Sequence, residues 1–208
     1  MLRKILSVGG FTLLSRLSGF LRDIVLAAVL GAGALMDAFS VALRLPNHFR
    51  AIFGEGAFNQ AYIPSFTRIR QQAGAAAAGL FSNRVYTLIV IAQIALLAVA
   101  IPFMPQVVRL LAPGFANDPQ RFELAVALTR ITFPYLTFIT LVTLLSANLN
   151  AIDRFAAAAA APILLNVSLI AALAVAFLFP NAAYAAAWGV AAAGLLEWVL
   201  LAVAARRA

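Results

Sequence analysis

The chain has 208 residues with a net charge of +8; 64% are hydrophobic and only 11% charged, and its mean hydropathy is +1.00. Soluble globular domains carry about a quarter charged residues, so this composition belongs to an all-α integral membrane protein. The absence of cysteine excludes a disulfide framework, a thiol nucleophile and a Cys-ligated metal, and the lone His48 cannot build a histidine cluster, so no cofactor or metal is expected.

A spanning helix needs roughly 20 mostly apolar residues, and six such runs follow one another. The first, from about Ile5 to Leu30, is preceded by Arg3 and Lys4, interrupted by Arg16 and closed by Gly31-Ala32-Gly33. With no compact apolar core before a small-residue cleavage site, it reads as a retained helix and not a removed signal. The second, from about Met36 to Phe53, contains Pro46, which should distort it, and ends at Gly54-Glu55-Gly56. The stretch IRQQAGAAAAGLFSNR that follows reads as a basic, small-residue loop. The third run covers about Val85 to Phe103, and PGFANDPQRF after it is a turn-rich loop punctuated by Pro113-Gly114 and Asp118-Pro119. The fourth covers about Leu124 to Leu149 around Pro134, the fifth Ala161 to Phe179, and the sixth Tyr184 to Ala205. The alanines of the last two, like the run Ala156 to Ala161, suit close helix packing in lipid. The expected architecture is a single transmembrane domain over residues 1–208, a six-helix bundle.

Basic residues in short loops set orientation. With the N-terminus cytoplasmic, Arg3, Lys4, Arg68, Arg70, Arg84, Arg154, Arg206 and Arg207 fall on the cytoplasmic side, against Arg109 and Arg121 on the other and Arg130 in the first turns of the fourth run. Both termini are then cytoplasmic. The positive charge is thus a topology signal; no basic run with interleaved aromatics lies on a soluble segment, and nucleic acid is not an expected partner.

Charges inside the apolar runs need a separate account, because each costs about 2.5–3.5 kcal/mol at mid-bilayer. On a helical wheel Arg16 and Asp23 lie within about 20° of each other, with Thr12, Ser15, Gly19 and Arg22 on the same side, while Leu13, Leu17, Phe20, Leu21 and Ile24 form the opposite, greasy face. In the second run Asp37, Arg44 and His48 share a face, with Ser40 and Asn47 beside them and Arg50 to one side. Two arrangements satisfy these charges: ion pairs between helices, or a wet cavity. Arg16, Arg22, Arg44 and Arg50 outnumber Asp23 and Asp37, and an excess of guanidinium, whose planar fork grips phosphate bidentately, suits an anionic guest. Arg50, near a helix end, also has the reach to snorkel. Thr137, Thr140, Thr143 and Ser146 have the spacing of helix–helix hydrogen bonds, and Asn148, Asn150, Asp153 and Arg154 form a polar helix end. No catalytic set and no phosphate-binding glycine loop stands out, so a transporter is expected and not an enzyme.

SRLSGFLRD, GAGALMDAF, RLPNHFRAIFGEGAFNQAYIPSF, LAPGF, ITFPYL and the Asp153-Arg154-Phe155 turn followed by APILLN together resemble the MurJ/MviN family of lipid II flippases in the MOP exporter superfamily. The block from Leu45 to Pro64 is the most specific part. The resemblance implies a first lobe of a two-lobe flippase in the bacterial cytoplasmic (inner) membrane. Such proteins move the undecaprenyl-pyrophosphate-linked peptidoglycan precursor between leaflets for cell-wall biosynthesis. It implies that Arg16, Arg22 and Arg50 bind the headgroup and that Asp23, Asp37, Arg44 and Glu55 form a supporting charge network. Family members are more than twice as long, so the second lobe, or a second copy of this chain, is an expected partner alongside membrane lipids. Another MOP-type exporter of a lipid-linked glycan or drug, or a non-transporting scaffold of cell-wall assembly, are the competing functions.

Overall fold

The computed structural model describes residues 2–51 and 57–207, with side chains from residue 9 onward apart from residue 57. Glu55 therefore lies outside the described residues. The described chain is helical: α1 Leu2–Leu30, α2 Ala34–Arg50, α3 Ala57–Ala100, α4 Met104–Leu111, α5 Pro119–Thr132, α6 Tyr135–Ala151, α7 Ala156–Ala174 and α8 Ala182–Arg206. Among the described residues, four stretches are long and apolar enough to cross a membrane: Phe58–Ala100, Pro119–Ala151, Ala156–Ala174 and Ala182–Arg206.

The stretch expected to be a loop, residues 69–84, is helical instead. Its alanines are the strongest helix formers, and the loop-like feature reduces to one residue, Gly74, at φ 86° and ψ 175°. A residue with a Cβ is strained there. The break folds α3 back on itself, so that Tyr62 stacks on Phe81 with ring centroids 5.6 Å apart. Tyr62 also stacks on Phe58 and Phe66 and donates to Asn148 Oδ1 at 2.6 Å, and Asn148 donates to Ser82 Oγ at 2.7 Å. Part of the polar end of α6 thus seals the α3 hairpin. Pro134 divides the fourth run into α5 and α6, whereas α2 continues through Pro46, which is buried.

Local chemistry fixes the remaining boundaries. Asp118 accepts from the Arg121 amide at 3.1 Å and Pro119 opens α5; Asn181 accepts from the amides of Ala183 and Tyr184 to start α8. Asp153, at φ 63°, takes the left-handed turn between α6 and α7 that short polar side chains tolerate. The end of the bundle bearing Gly31 to Gly33 also carries α4 and the start of α5. The opposite end carries the Asp153 turn, where Arg154 donates to the Arg207 carbonyl at 2.8 Å.

In lipid, apolar burial drives association weakly and close packing takes its place. α8 is the centre of the bundle, touching α2, α5, α6 and α7. Ala183, Ala185, Ala186, Ala187 and Ala193 on it are completely buried. A Cβ on Gly194 would lie 2.6 Å from the Tyr135 ring, and one on Gly189 2.8 Å from Ala172 Cβ and 3.2 Å from the Leu169 backbone. Gly194→Val and Gly189→Val should each cost about 1–3 kcal/mol by overpacking, read as a lower thermal midpoint in detergent. α1 is held mainly by α7 and turns its greasy face outward, with Leu13, Leu17, Phe20, Leu21 and Ile24 between 50% and 68% exposed.

Candidate functional site

Part of the polar face of α1 is turned toward α7, where Ser15, Ser18 and Arg22 meet Asn166, while Thr12, Arg16 and Asp23 stay exposed at its edge. A chamber of about 740 Å³ lies between α1, α6, α7 and α8, closed by the end of α2 and the start of α3. Its polar lining is Thr12, Ser15 and Arg16 from α1, Arg50 from α2, Asn59 from α3, Thr143, Ser146 and Asn150 from α6 and Glu197 from α8. The small residues Ala158, Ala159 and Ala161 of α7 form a wall. Ala161 alone of the run from Ala156 to Ala161 is buried, so these alanines make room as much as they pack. A smaller recess of about 220 Å³ is lined by Arg22, Asp23, Asn47, Arg50 and Tyr135 with apolar neighbours. Arg50 lines both and stands where they meet.

The three arginines differ in how they are held. Arg22 is fixed on two sides: Nε and Nη2 donate to Asp23 Oδ1 at 2.9 and 2.7 Å, and Nη1 donates to Asn166 Oδ1 at 2.9 Å. Asn166, 3% exposed on α7, donates in turn to the Ser15 carbonyl at 3.1 Å and to Ser18 Oγ at 2.9 Å. This orients the guanidinium and leaves roughly two of its five N–H donors for a guest. Arg16 and Arg50, by contrast, make no hydrogen bond or ion pair among the described residues, although Arg50's charge is felt at both Glu197 and Tyr135. Three guanidiniums thus face two carboxylates, Asp23 and Glu197, across the chamber and recess. Preorganised, incompletely neutralised guanidinium is what recognition of a phosphate or pyrophosphate requires.

Asp37 and Arg44 sit elsewhere. Asp37 pairs with Arg121 Nη1 at 3.4 Å, and Arg121 also pairs with Asp118 and lies over the Phe115 ring at 5.5 Å. Arg44 donates to the Leu111 carbonyl, and His48 Nδ1 lies 2.6 Å from the Arg44 carbonyl oxygen. The sequence-based expectation that Asp37 steadies the chamber's arginines differs from this arrangement. Asp37 is in the first turn of α2 and Arg50 in its last, so one helix carries them to opposite ends of the bundle. These contacts tie α2 to the loop around α4 and α5. Both members of the Asp37–Arg121 pair are substantially exposed (49% and 34%), so Arg121→Ala should cost no more than about 0.5–1 kcal/mol and leave pyrophosphate affinity unchanged by calorimetry.

Sequence reasoning passed over Asn166, Tyr135, Asn59 and Glu197. Glu197 had a readable signal: it is the one acidic residue within the apolar stretch Ala182–Arg206, and an ionisable residue there marks a functional position by default. The threonines of α6 divide between two uses. Thr140 receives a hydrogen bond from Gln93 of α3 at 3.1 Å, whereas Thr143 and Ser146 line the chamber. A further cavity of about 410 Å³, lined by Asp153, Arg154, Arg207 and apolar residues at the Asp153 turn, lies apart from these arginines.

A bundle of apolar helices beside an arginine-lined chamber defines a multi-pass membrane protein with a cationic pocket in its interior. Comparison with known proteins narrows the class. Residues 26–208 match the family model described as lipid II flippase MurJ. The chain is 43% identical over 214 residues to a probable lipid II flippase MurJ of Rhizobium meliloti (strain 1021), covering 100% of this chain and 40% of the relative. It is 41% identical over 201 residues to the lipid II flippase MurJ of Burkholderia cenocepacia, covering 95% of this chain and 39% of that protein. A solved structure, lipid II flippase MurJ in an inward closed conformation, superposes with a TM-score of 0.78 at 23% identity, over 94% of this chain and 41% of that one, which shows a shared fold. The chain belongs to the lipid II flippase MurJ family, and it spans about 40% of the length of these curated relatives.

Proposed function

We propose that this chain forms one lobe of a lipid II flippase of the bacterial cytoplasmic membrane and that its chamber receives the pyrophosphate-linked headgroup during translocation. The observation that carries this reading is the pair Arg16 and Arg50, two guanidiniums without a partner among the described residues, facing one polar chamber of about 740 Å³. Membrane helix bundles leave charge unpaired where a guest or water completes it. Arg22, locked by Asp23 and Asn166, supplies the third, rigid contact.

Six spans serve this reading: α1, α2, the second arm of α3, the bent unit α5–α6, α7 and α8. α1 is 29 residues and carries three charges in its second half, and α2 is 17 residues, about 25 Å; Arg16, Asp23, Arg44 and Arg50 on them are exposed in this lobe, a face left for a second wall. The bias of basic residues supports cytoplasmic termini in this reading. The chamber lies toward the end bearing the Asp153 turn, lined there by Asn150 of α6 and Ala158 of α7; in this reading the lobe takes up its guest from the cytoplasmic leaflet, and the prenyl chain stays in the bilayer. Alternating access needs a second wall that rocks against this one, supplied by a second lobe or a second copy of the chain. Glu55, outside the described residues, belongs to the supporting network by family resemblance alone.

The test is done in cells depleted of their own lipid II flippase. The chain, expressed alone or with the remaining part of a relative, should restore lipid II to the outer leaflet, and the Arg16→Ala/Arg50→Ala variant should insert without restoring it. Normal translocation by that variant would remove the headgroup role from the chamber.

A further inference from the structure

Glu197 lines the chamber but takes no part in holding the headgroup. It lies in α8, in a run of small and apolar residues, and is 2% exposed. Its Oε2 atom is enclosed and makes no hydrogen bond among the described residues. The Tyr135 hydroxyl, 3% exposed, is also without one. A carboxylate left incompletely bonded inside a helix bundle is costly, and an apolar residue of similar volume would pack without that cost. Its position therefore calls for a role for charge.

Burial opposes its charge, and the cation that offsets part of that cost is Arg50. Both side chains line the larger chamber, with Arg16 on the same wall system. Yet Glu197 and Arg50 close no ion pair, so the guanidinium is influenced by the carboxylate without being captured by it. A guest's phosphate oxygens entering this chamber meet the same guanidinium that the carboxylate already attracts.

We propose that Glu197 is the resident counter-ion of Arg50: it offsets that charge in the empty chamber and competes with the guest's phosphate when the chamber fills, keeping the guest releasable. The proposal rests on the anion-accepting reading of the chamber. A carrier must bind tightly enough to load and weakly enough to unload, and Arg16 and Arg50 without an internal competitor would hold a pyrophosphate too long. Glu197 acts through Arg50 and is a positioning residue.

The probe is inorganic pyrophosphate, titrated by calorimetry into the full 208-residue chain in lipid nanodiscs. Glu197→Gln, which keeps shape and removes charge, should tighten binding about tenfold. Glu197→Asp should stay within about twofold of the parent. In an Arg50→Ala background the Gln exchange should change affinity by less than about twofold, since the charge it competes for is gone. In a translocation assay Glu197→Gln should lower the half-saturating concentration and the turnover together, a split that a packing defect does not produce. Unchanged or weaker pyrophosphate binding by Glu197→Gln would overturn the counter-ion role, and so would a tightening that persists in full without Arg50. The reading beneath it has its own signature of failure. If Arg16→Ala/Arg50→Ala binds pyrophosphate as well as the parent, or if neither the parent nor Glu197→Gln binds it at all, the chamber is not an anion site.

Discussion

Replacing Arg16 and Arg50 together by alanine should weaken pyrophosphate binding about a hundredfold or more, since each charge-assisted contact is worth about 1.5–3 kcal/mol. The two side chains sit on different helices, α1 and α2, and meet in one chamber. Neither makes a hydrogen bond or ion pair among the described residues, and both are exposed; the one group left behind is Glu197, which loses the charge of Arg50, so the loss should appear mainly in binding, with a smaller change in thermal stability. That separation is informative. If these arginines were structural, the double variant would melt early and bind normally. Titration calorimetry and a melting curve on the same preparation distinguish the two.

Exchanging Arg22 and Asp23 should be as damaging to translocation, for a different reason. The exchange keeps formal charge and keeps a neighbouring ion pair. It moves the guanidinium about 100° around α1, away from Asn166 Oδ1, with which Arg22 now bonds at 2.9 Å. Asn166 then loses one polar partner while its own amide still reaches Ser15 and Ser18. The cost to stability is modest because the Asp23 side chain is 63% exposed, although Arg22 is only 27% exposed. The expected outcome is a protein that inserts at normal levels and does not move lipid II. A non-transporting scaffold would tolerate the exchange, so normal growth of flippase-depleted cells on the exchanged chain would favour that reading. Arg22→Ala should give the same phenotype as the exchange.

Much of this was legible from residue order, and the limits have physical causes. The polar and greasy faces of α1 follow from the 100° period, and the exposure of Leu13, Leu17, Phe20, Leu21 and Ile24 agrees with the wheel. The wheel has no information on which neighbouring helix meets the polar face, so Asn166, which fixes Arg22 from 144 residues away, could not be paired with it. Asp37 shows the same limit. Its angle on α2 suggests an interior charge, yet its height along the helix axis puts it beside Arg121 at the far end from Arg50. Azimuth without height assigns a residue to a face and not to a site. The misread loop over residues 69–84 came from weighing glycine and basic residues above alanine; intrinsic propensity prevailed everywhere except Gly74. Glu197 was visible as a lone acid in an apolar run, but only the chamber explains what it faces.

The measurement that bears most directly on the central claim compares two ligands that share a prenyl chain, one with the pyrophosphate-linked headgroup and one without it. The chain in nanodiscs is titrated with the undecaprenyl-pyrophosphate-linked precursor and, separately, with the same prenyl chain lacking phosphate, with retention read by native mass spectrometry. The account predicts saturable binding of the first, displacement by inorganic pyrophosphate, and no retention of the second. Equal retention of both, or binding indifferent to added pyrophosphate, would contradict it, because recognition would then rest on the lipid tail and not on Arg16, Arg22 and Arg50.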